Sequence, residues 1–344
     1  MARIFIDGFE SGDIGNWTST WGYSTHTHSM AAPLSGMTGS YCLKIPSSMG
    51  ASTIYKNFPP VYQLFASFRC SLNYWVWNPR VFYIEKVGVG TLIRIDMDSN
   101  GTLYVYRGNG TALLTTSTTR LNVHGHYDPP PGELTTYHLE FKYVPHSLNG
   151  IFQMKINGIL DINFTGNTTP GATTIDGIEI GQGYGYGSAV QYFDDIVLDD
   201  ANWIGPSRIA PLVATGNGAL VQCTPSTGAN WECVNEVPPS DSDYVATDTP
   251  GHVDLYTLSD IPGDALTVKS VQLSARCYKE SGATPQNLQM SVRSNGSNYF
   301  SGDKPIPDTV GVNAVHLFET NPDTGVAWTV GQVNALQAGF KAVT

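Results

Sequence analysis

The chain opens with Ile4-Phe5-Ile6-Asp7-Gly8-Phe9-Glu10-Ser11-Gly12 and, much later, runs through Tyr192-Phe193-Asp194-Asp195-Ile196-Val197-Leu198. Both stretches alternate apolar and polar residues, the period-two pattern of a β-strand with one face in a core. Their carboxylates stand at the strand end or on the opposite face. The first and last strands of a jelly-roll sandwich lie side by side, so we expect these stretches to pair and their carboxylates to meet. The pair predicts one large β-sandwich over residues 1–203.

Strand patterns continue between these two stretches. We predict strands at 40–45, 62–77, 80–87, 92–97, 103–107, 137–144, 151–156, 159–164, 178–180 and 193–198. Asn157-Gly158 stands between two of them, and Asn-Gly between alternating strands is a strong hairpin signal because both positions favour positive φ. Regularly spaced strands without helical periodicity predict a sandwich.

A second, smaller domain follows. Gly205, Pro206 and Pro211 break any strand ladder, so we place a linker at 204–212 and a β-rich domain at 213–344. Near its end, residues 326–338 are predicted to form one helix that stops at Gly339. The predicted fold class is therefore all-β, a jelly-roll sandwich followed by a smaller β-rich domain with one C-terminal helix.

Composition limits the classes of partner. The net charge is −11 and lysine and arginine are not clustered, which argues against nucleic acid and anionic membranes. The chain lacks a membrane-spanning apolar run and an N-terminal signal pattern. Only 14% of residues are charged, which is typical of an extracellular or virion β-protein. The alternative is that all-β sandwiches of any kind have a low share of charged residues. The five cysteines form no C-x-x-C pair. We expect free thiols, with a Cys223–Cys233 disulfide as the alternative.

Two resemblances add to these patterns. The order D-G-F-E-S-G with Trp17, then 39–45, then F-D-D-I-V-L resembles a concanavalin A-like (laminin-G-like or carbohydrate-binding) jelly roll. The region from Gly205 on is similar to C-terminal regions of tailed-phage virion proteins, through residues 205–209, 230–236 and 324–340. The resemblance implies a virion structural protein that is made in the host cytoplasm.

The first resemblance also implies a metal site. Carbohydrate-binding jelly rolls often hold a structural calcium ion between an N-terminal acidic residue and an aspartate of the last strand. Carried over, this predicts Ca²⁺ bound by Glu10 and Asp195, with Asp194 as a substitute. The alternative is that these carboxylates are charges that keep an edge strand from aggregating.

The remaining polar motifs predict no catalysis. Asp96, Asp98 and Asn100 start like a calcium-binding loop, but the flanking strands favour a hairpin turn. The H-x-H pairs His26/His28 and His124/His126 favour polar loops over a metal site. Glu85 and Glu140 are isolated, and no run resembles the acidic motif of jelly-roll glucanases. We therefore predict no catalytic residues and a protein that is not an enzyme.

Aromatic residues in loops give the best candidates for recognition. The sequence G-Y-G-Y-G places Tyr184 and Tyr186 among glycines that leave the rings free to protrude, and Trp21 and Tyr23 cluster near the start. Such rings stack on sugars or contact proteins. We predict these four residues as ligand-binding, with ordinary loop or core packing as the alternative.

Together these patterns predict a phage virion protein of the tail or tail fibre. The C-terminal domain would attach it to other virion proteins, and the jelly roll would bind a host surface glycan or a protein. Low charge and many aromatic residues predict a homo-oligomer. The alternatives are a head decoration or collar protein without a host ligand, and a polysaccharide depolymerase.

Overall fold

A computed structural model describes residues 3–22, 29–46, 52–73, 79–110, 112–124, 130–182 and 190–344. The chain divides into two compact units, the first made of Met1–Glu10 and Trp17–Ile209 and the second of Ser11–Asn16 and Ala210–Thr344. The boundary therefore falls between Ile209 and Ala210, inside the segment predicted as a linker. A short N-terminal segment, Ser11–Asn16, also belongs to the second unit.

The first unit consists almost entirely of strands. They are β1 (Arg3–Asp7), β2 (Ser19–Gly22), β3 (Ser29–Ala31), β4 (Cys42–Ile45), β5 (Ser52–Val61), β6 (Leu64–Leu72), β7 (Arg80–Lys86), β8 (Gly90–Met97), β9 (Leu103–Arg107), β10 (Ala112–Thr116), β11 (Tyr137–Val144), β12 (Gly150–Ile156), β13 (Ile159–Gly166), β14 (Ile175–Gln182) and β15 (Gln191–Asp199). A single 3-10 turn, Pro131–Glu133, is found among the described residues of this unit.

Two antiparallel sheets form a sandwich. The eight-stranded sheet has the order β13-β12-β11-β6-β15-β4-β3, with β1 paired to β15, and the seven-stranded sheet has the order β10-β9-β8-β7-β14-β5-β2. The predicted pairing of the first and last strands is confirmed, since Phe5 pairs with Leu198 and Asp7 with Ile196. The fold class is all-β, as predicted.

Aromatic side chains fill the space between the two sheets. Phe82 of β7 stacks on Phe68 of β6 with ring centroids 5.3 Å apart, and it meets Phe141 of β11 edge to face at 4.9 Å. All three rings are at most 1% exposed. Because side chains alternate along a strand, Phe82 and Ile84 face this core, whereas Tyr83 and Glu85 face away from it.

Strand β5 was not predicted from the sequence. Its residues Asn57, Pro59 and Pro60 are typical of turns, and they conceal the strand pattern. Proline is tolerated here because the β5–β14 pairing is irregular between Ile175 and Gly177, opposite this segment, and an irregular ladder does not need every N–H. Of the predicted strand 62–77, the structure shows β6 at Leu64–Leu72, and residues 74–78 lie outside the described residues.

Residues 203–209, most of which were predicted to lie in the linker, pack instead on the outer side of the eight-stranded sheet. The ring of Trp203 meets Phe65 edge to face at 5.5 Å, and the Nζ atom of Lys155 lies 3.8 Å from its centroid. The backbone N–H of Gly205 donates to Glu140 Oε1 at 2.9 Å. Glu140, 1% exposed, is therefore a buried anchor for this segment, which belongs to the first unit.

The second unit is a smaller β-structure. Its elements are β16 (Ala214–Val221), β17 (Thr224–Pro225), β18 (Val245–Ala246), β19 (Val253–Leu258), β20 (Val271–Cys277), β21 (Asn287–Ser294), β22 (Ser297–Phe300), β23 (Lys304–Pro305), β24 (Val312–Phe318), α1 (Val330–Asn334), β25 (Gln337–Val343) and a 3-10 turn at Asn230–Cys233. A six-stranded sheet has the order β16-β19-β25-β21-β22 with β23 on β21, while β17-β18 and β20-β24 form two-stranded sheets.

The helix predicted at 326–338 is wrong in extent. Only Val330–Asn334 is helical, although Trp328, Val333 and Leu336 do share one apolar cluster. The residues that follow form β25, which pairs with both β19 and β21. Gly339 is part of that strand rather than a helix stop, and a Cβ there would lie 1.9 Å from the carbonyl oxygen of Asp254.

Two further expectations concern thiols and membranes. All five cysteines are free, and Cys223 and Cys233 are both buried. Burial raises the pKa of the Cys223 thiol to about 12.

None of the helices among the described residues is long and apolar enough to cross a bilayer.

Candidate functional site

The face of the seven-stranded sheet that points away from the core carries a row of polar and aromatic side chains. Strand register places them side by side on five neighbouring strands: Tyr55 pairs with Glu179, Glu179 with Tyr83, Tyr83 with Arg94, and Arg94 with Tyr106. We call these five residues the outer row. The residues that flank them along each strand, such as Phe82, Ile95, Val105 and Ile180, face the core, as strand alternation requires.

Three more charged residues flank the outer row on the same face. Glu85 pairs with Gly177, so it stands diagonally across from Glu179. Asp96 lies two positions beyond Arg94 on β8 and pairs with Arg80 of β7. Glu85 extends the outer row at one end, and Asp96 and Arg80 extend it at the other. The face as a whole combines rings, carboxyl groups and guanidinium groups.

Contacts within this face hold Arg94 in place. Its Nη2 donates to Asp96 Oδ2 at 2.8 Å, and its Nη1 donates to the backbone oxygen of Asn109 at 3.1 Å. The guanidinium lies 5.0 Å from the ring centroid of Tyr106, within the range of a cation–π contact. The Tyr106 ring in turn stacks on Tyr104 at 6.4 Å. These rings are thus oriented before any ligand arrives.

Burial shifts the acid–base properties of the carboxyl groups on this face. Burial, with a smaller contribution from the charge of Glu179, raises the pKa of Glu85 to about 7. Burial also raises the pKa of Glu179, while a hydrogen bond from Tyr55 and the charge of Arg80 oppose the shift. Perturbed titratable groups gather at functional sites more often than elsewhere, which favours this face as a candidate site.

One buried oxygen on this face has no partner. Asp96 is 5% exposed, and its Oδ1 atom accepts no hydrogen bond. Burial raises the pKa of Asp96 even though Arg94 and Arg80 act against the shift. A buried polar atom without a partner is uncommon in proteins and calls for an explanation. A ligand that donates a hydrogen bond to Asp96 Oδ1 would explain why this oxygen has no partner within the protein.

The prediction that four aromatic residues bind ligand concerns side chains outside the described residues and stays a prediction. Trp21 lies on β2, where its backbone pairs with Thr53 of β5; its side chain is outside the described residues. Tyr23, Tyr184 and Tyr186 lie outside them as well. The sequence reading missed the outer row, although alternation within 80–86 and 92–97 already separates Tyr83, Glu85 and Arg94 from the apolar positions.

The predicted calcium ligands do lie together at the paired first and last strands. Both Glu10 oxygens accept from the backbone N–H of Ser40, at 3.0 and 2.8 Å. Asp194 Oδ2 accepts from Thr38 N at 3.0 Å. Asp195 Oδ2 accepts from Arg69 Nε at 3.0 Å, forming an ion pair. We refer to Glu10, Asp194 and Asp195 as the acidic cluster.

The donors around the acidic cluster decide how well it suits calcium. Its three members are at most 7% exposed, and they supply the hard oxygens that calcium prefers. However, each carboxylate already accepts protein hydrogen bonds. Among the residues that the structure describes, no group of three or more His, Cys, Asp or Glu side chains is arranged to hold a metal ion. Calcium binding here stays a prediction.

Burial raises the pKa of Asp194, and the neighbouring charge of Asp195 adds to the shift. The folded-state pKa thus lies above that of an unfolded aspartate, about 3.9. The stabilising contribution is therefore complete at low pH and is lost as pH rises through the folded-state pKa. We expect the free energy of unfolding to fall between pH 5 and 8 in chelator, and Asp194→Asn to flatten this slope. Urea unfolding over that range measures both.

Calcium would change this profile. If the acidic cluster binds the ion, added calcium should raise the unfolding free energy more at pH 8 than at pH 5, by about 2.7 kcal/mol at a hundredfold excess over Kd. Magnesium, which resists irregular oxygen cages, should do less. Unfolding curves that coincide in chelator and in millimolar calcium at pH 8 would show that the calcium prediction is wrong.

The remaining polar motifs have structural explanations. Asp98 Oδ1 accepts from the backbone N–H of Asn100 and of Thr102, each at 2.9 Å, which confirms the predicted hairpin turn. His124 Nδ1 lies 3.6 Å from the carboxylate of Glu133. His126 and Asp128, like His26 and His28, fall outside the described residues.

Comparisons with known proteins yield likenesses of shape alone. No protein-family model matches the chain, and no curated protein matches it. A solved sialidase structure is 12% identical with a TM-score of 0.39, covering 58% of this chain and 19% of the sialidase. A carbohydrate-binding module from Bacillus subtilis is 11% identical with a TM-score of 0.31, covering 54% of this chain and 97% of the module.

A third similar structure is domain 4 of an extracellular arabinanase from Geobacillus stearothermophilus in complex with arabinotriose. It is 16% identical with a TM-score of 0.35, covering 60% of this chain and 96% of that domain. By contrast, this chain spans less than a fifth of the length of the sialidase described above. TM-scores below one half do not establish a shared fold, so the fold described above rests on this chain's own strand order.

Proposed function

We propose that the first unit is a glycan-binding module and that its binding face is the outer row, through the partly exposed Tyr55, Arg94 and Tyr106, with Tyr83 and Glu179 buried behind them. The observation that carries the proposal is the register that aligns Tyr55, Glu179, Tyr83, Arg94 and Tyr106 across five strands, facing away from the core. Tyrosine rings stack on the apolar faces of sugars, and carboxyl and guanidinium groups bind their hydroxyls. This combination suits a polyhydroxylated ligand better than an apolar one.

The fixed geometry of the face supports the same proposal. Arg94 is held by Asp96 and Asn109, and the ring of Tyr106 is held between Arg94 and Tyr104. Groups that are already oriented lose less conformational entropy when a ligand binds. The face also lies on regular strands rather than on loops, so its spacing is set by the sheet.

Replacing Tyr106 with alanine should weaken glycan binding at least tenfold, because the variant loses the stacking surface and leaves Arg94 without its aromatic neighbour. Calorimetric titration with oligosaccharides chosen from a glycan array measures the effect. Tyr62→Ala is the matched control, since Tyr62 is 77% exposed and lies past the end of the β5–β14 pairing, away from the outer row. Equal affinities for the two variants would refute the assignment of the outer row.

For the whole chain we propose a non-enzymatic virion protein of a tailed phage, located at the tail or tail fibre. The proposal rests on the resemblance that the sequence from Gly205 on bears to phage virion proteins, and it gives particle attachment to the second unit. Oligomers of this chain in the particle belong to the same proposal. Immunogold labelling of purified particles would place the protein, and labelling on the head instead would favour the decoration or collar alternative.

One observation keeps the depolymerase alternative open. Glu85 and Glu179 are diagonal neighbours on one face of the sheet, and glycoside hydrolysis uses two carboxyl groups. Release of new reducing ends from a bound polysaccharide, abolished in Glu85→Gln, would establish cleavage. Binding without any product would leave the module as a binding protein.

A further inference from the structure

The proposed binding face continues beyond Tyr106 to the edge of the seven-stranded sheet, and this edge bears on which sugar the face accepts. Strand β10 is the edge strand, and its residue Leu113 pairs with Tyr106. Paired residues of antiparallel strands share a face, with Cβ atoms about 4.5–5.5 Å apart. Leu113 is 52% exposed, so an apolar side chain lies open to solvent directly beside Tyr106.

Strand register joins Leu113 to a compact group on three neighbouring strands. On β8 and β9, Arg94 pairs with Tyr106 and Asp96 pairs with Tyr104. The two tyrosine rings are nearly parallel, with centroids 6.4 Å apart and an interplanar angle of 15°. We call Arg94, Asp96, Tyr104, Tyr106 and Leu113 the edge group. It has a polar side on β8, aromatic rings on β9 and an aliphatic side chain on β10.

The polar side of the edge group has an acceptor and a donor that the protein does not satisfy. Arg94 Nη2 and Asp96 Oδ2 form an ion pair at 2.8 Å, which balances the charge of the guanidinium. Asp96 Oδ1 and Arg94 Nε are both buried without a hydrogen-bond partner, and Asp96 is only 5% exposed. A hydroxyl both donates and accepts, whereas a carboxylate only accepts and an ammonium group only donates. The hydroxyl groups of a neutral sugar therefore suit this side best.

The apolar side of the edge group sets a different requirement. A pyranose ring that stacks on Tyr106, with hydroxyls toward Arg94 and Asp96 on β8, directs its opposite side toward β10, where Leu113 lies. A methyl group on that side of the sugar would bury apolar surface against Leu113. A hydroxymethyl group would instead place a hydroxyl against a side chain that offers it no hydrogen bond.

We propose that the edge group selects 6-deoxyhexoses, neutral sugars with a methyl group at C5, with the ring on Tyr106, hydroxyls at Arg94 and Asp96, and the methyl group on Leu113. This inference rests on the proposed glycan binding and adds the sugar class. The parent hexose makes the same ring and hydroxyl contacts but brings its C6 hydroxyl against Leu113. A uronic acid brings a carboxylate to the same place, at a greater cost of desolvation.

The test titrates the full chain, followed by NMR, with methyl glycosides in matched pairs that differ only in the C6 hydroxyl. The pairs are L-rhamnose with L-mannose, L-fucose with L-galactose, and 6-deoxy-D-glucose with D-glucose. In at least one pair we expect the 6-deoxy sugar to bind more tightly by about fourfold or more, since burial of one methylene-sized group corresponds to about 0.8 kcal/mol.

Two leucine variants test the role given to Leu113. Leu113→Ser should remove the preference within that pair, because the variant loses the apolar surface that receives the methyl group. Leu148→Ser is the matched control and should keep the preference. Leu148 is 74% exposed and lies in the turn between β11 and β12, which belong to the other sheet. A preference that persists in Leu113→Ser would overturn the inference.

The outcomes separate the two proposals. If the parent hexose binds as tightly as the 6-deoxy sugar in every pair, or if other glycans bind and no member of any pair does, the 6-deoxyhexose inference is overturned while glycan binding stands. If none of a wider set of glycans binds, the proposed function fails and the inference fails with it. The comparison of sugars on the unaltered protein does not depend on whether the Leu113 variant folds.

Discussion

Replacing Phe82 with alanine should destabilise the first unit by about 3–5 kcal/mol, the usual cost of removing a buried phenylalanine ring. Phe82 is fully buried, stacks on Phe68 and meets Phe141 edge to face. Removing its ring therefore opens a cavity between the two sheets. Thermal and urea unfolding of the variant measure the change.

The matched control for this variant is Val87→Ala, immediately after the same strand. Val87 is 67% exposed, and exposed substitutions usually stay within about 0.5 kcal/mol. A loss of less than 1 kcal/mol in Phe82→Ala would mean that the two sheets are not packed through this ring. The outer row should then not be rigid either, because β7 carries both Phe82 and Tyr83.

Replacing Asp254 with alanine should destabilise the second unit by at least about 3 kcal/mol. Asp254 is fully buried and accepts from the backbone N–H groups of Gln222 and Cys223, the Asn230 side chain and the Tyr256 hydroxyl. Each buried donor that is left without an acceptor costs about 1–3 kcal/mol. Hydrogen exchange measured strand by strand would locate the loss in β16, β19 and β25.

The Asp254→Ala variant also tests whether glycan binding belongs to the first unit alone. Glycan affinity of Asp254→Ala should equal that of the unaltered protein while the first unit remains folded, because the outer row lies wholly in the first unit. Asp260→Ala, at an exposed carboxylate, is the control and should change neither property. A parallel loss of glycan affinity and stability in Asp254→Ala would contradict the assignment of binding to the first unit alone.

The sequence predicted those parts of the fold that depend on neighbours along the chain. Alternation identified β9 and β11 with their observed bounds, and Asn157-Gly158 marked the β12–β13 hairpin. The pairing of the first and last strands followed from their matching patterns. The C-terminal helix was wrong because residues 337–343 gain partners on both sides in the sheet, and strand pairing over long distances outweighs local helical spacing.

The candidate site was harder to predict because its residues come from separate strands. Tyr55 lies on a strand hidden by prolines, and Glu179 is more than ninety positions from Tyr83 in the sequence. Their alignment depends on register, which is set by packing of the buried face rather than by the residues themselves. Glu85 therefore looked isolated in the sequence, although Glu179 stands diagonally across from it in the sheet.

A crystal structure of the protein with a bound oligosaccharide tests the central claim most directly. The account predicts sugar density against the outer row, with a ring on Tyr106 and polar groups within hydrogen-bonding distance of Arg94. Density anywhere else on the first unit, with the outer row unchanged and free of ligand, would contradict it.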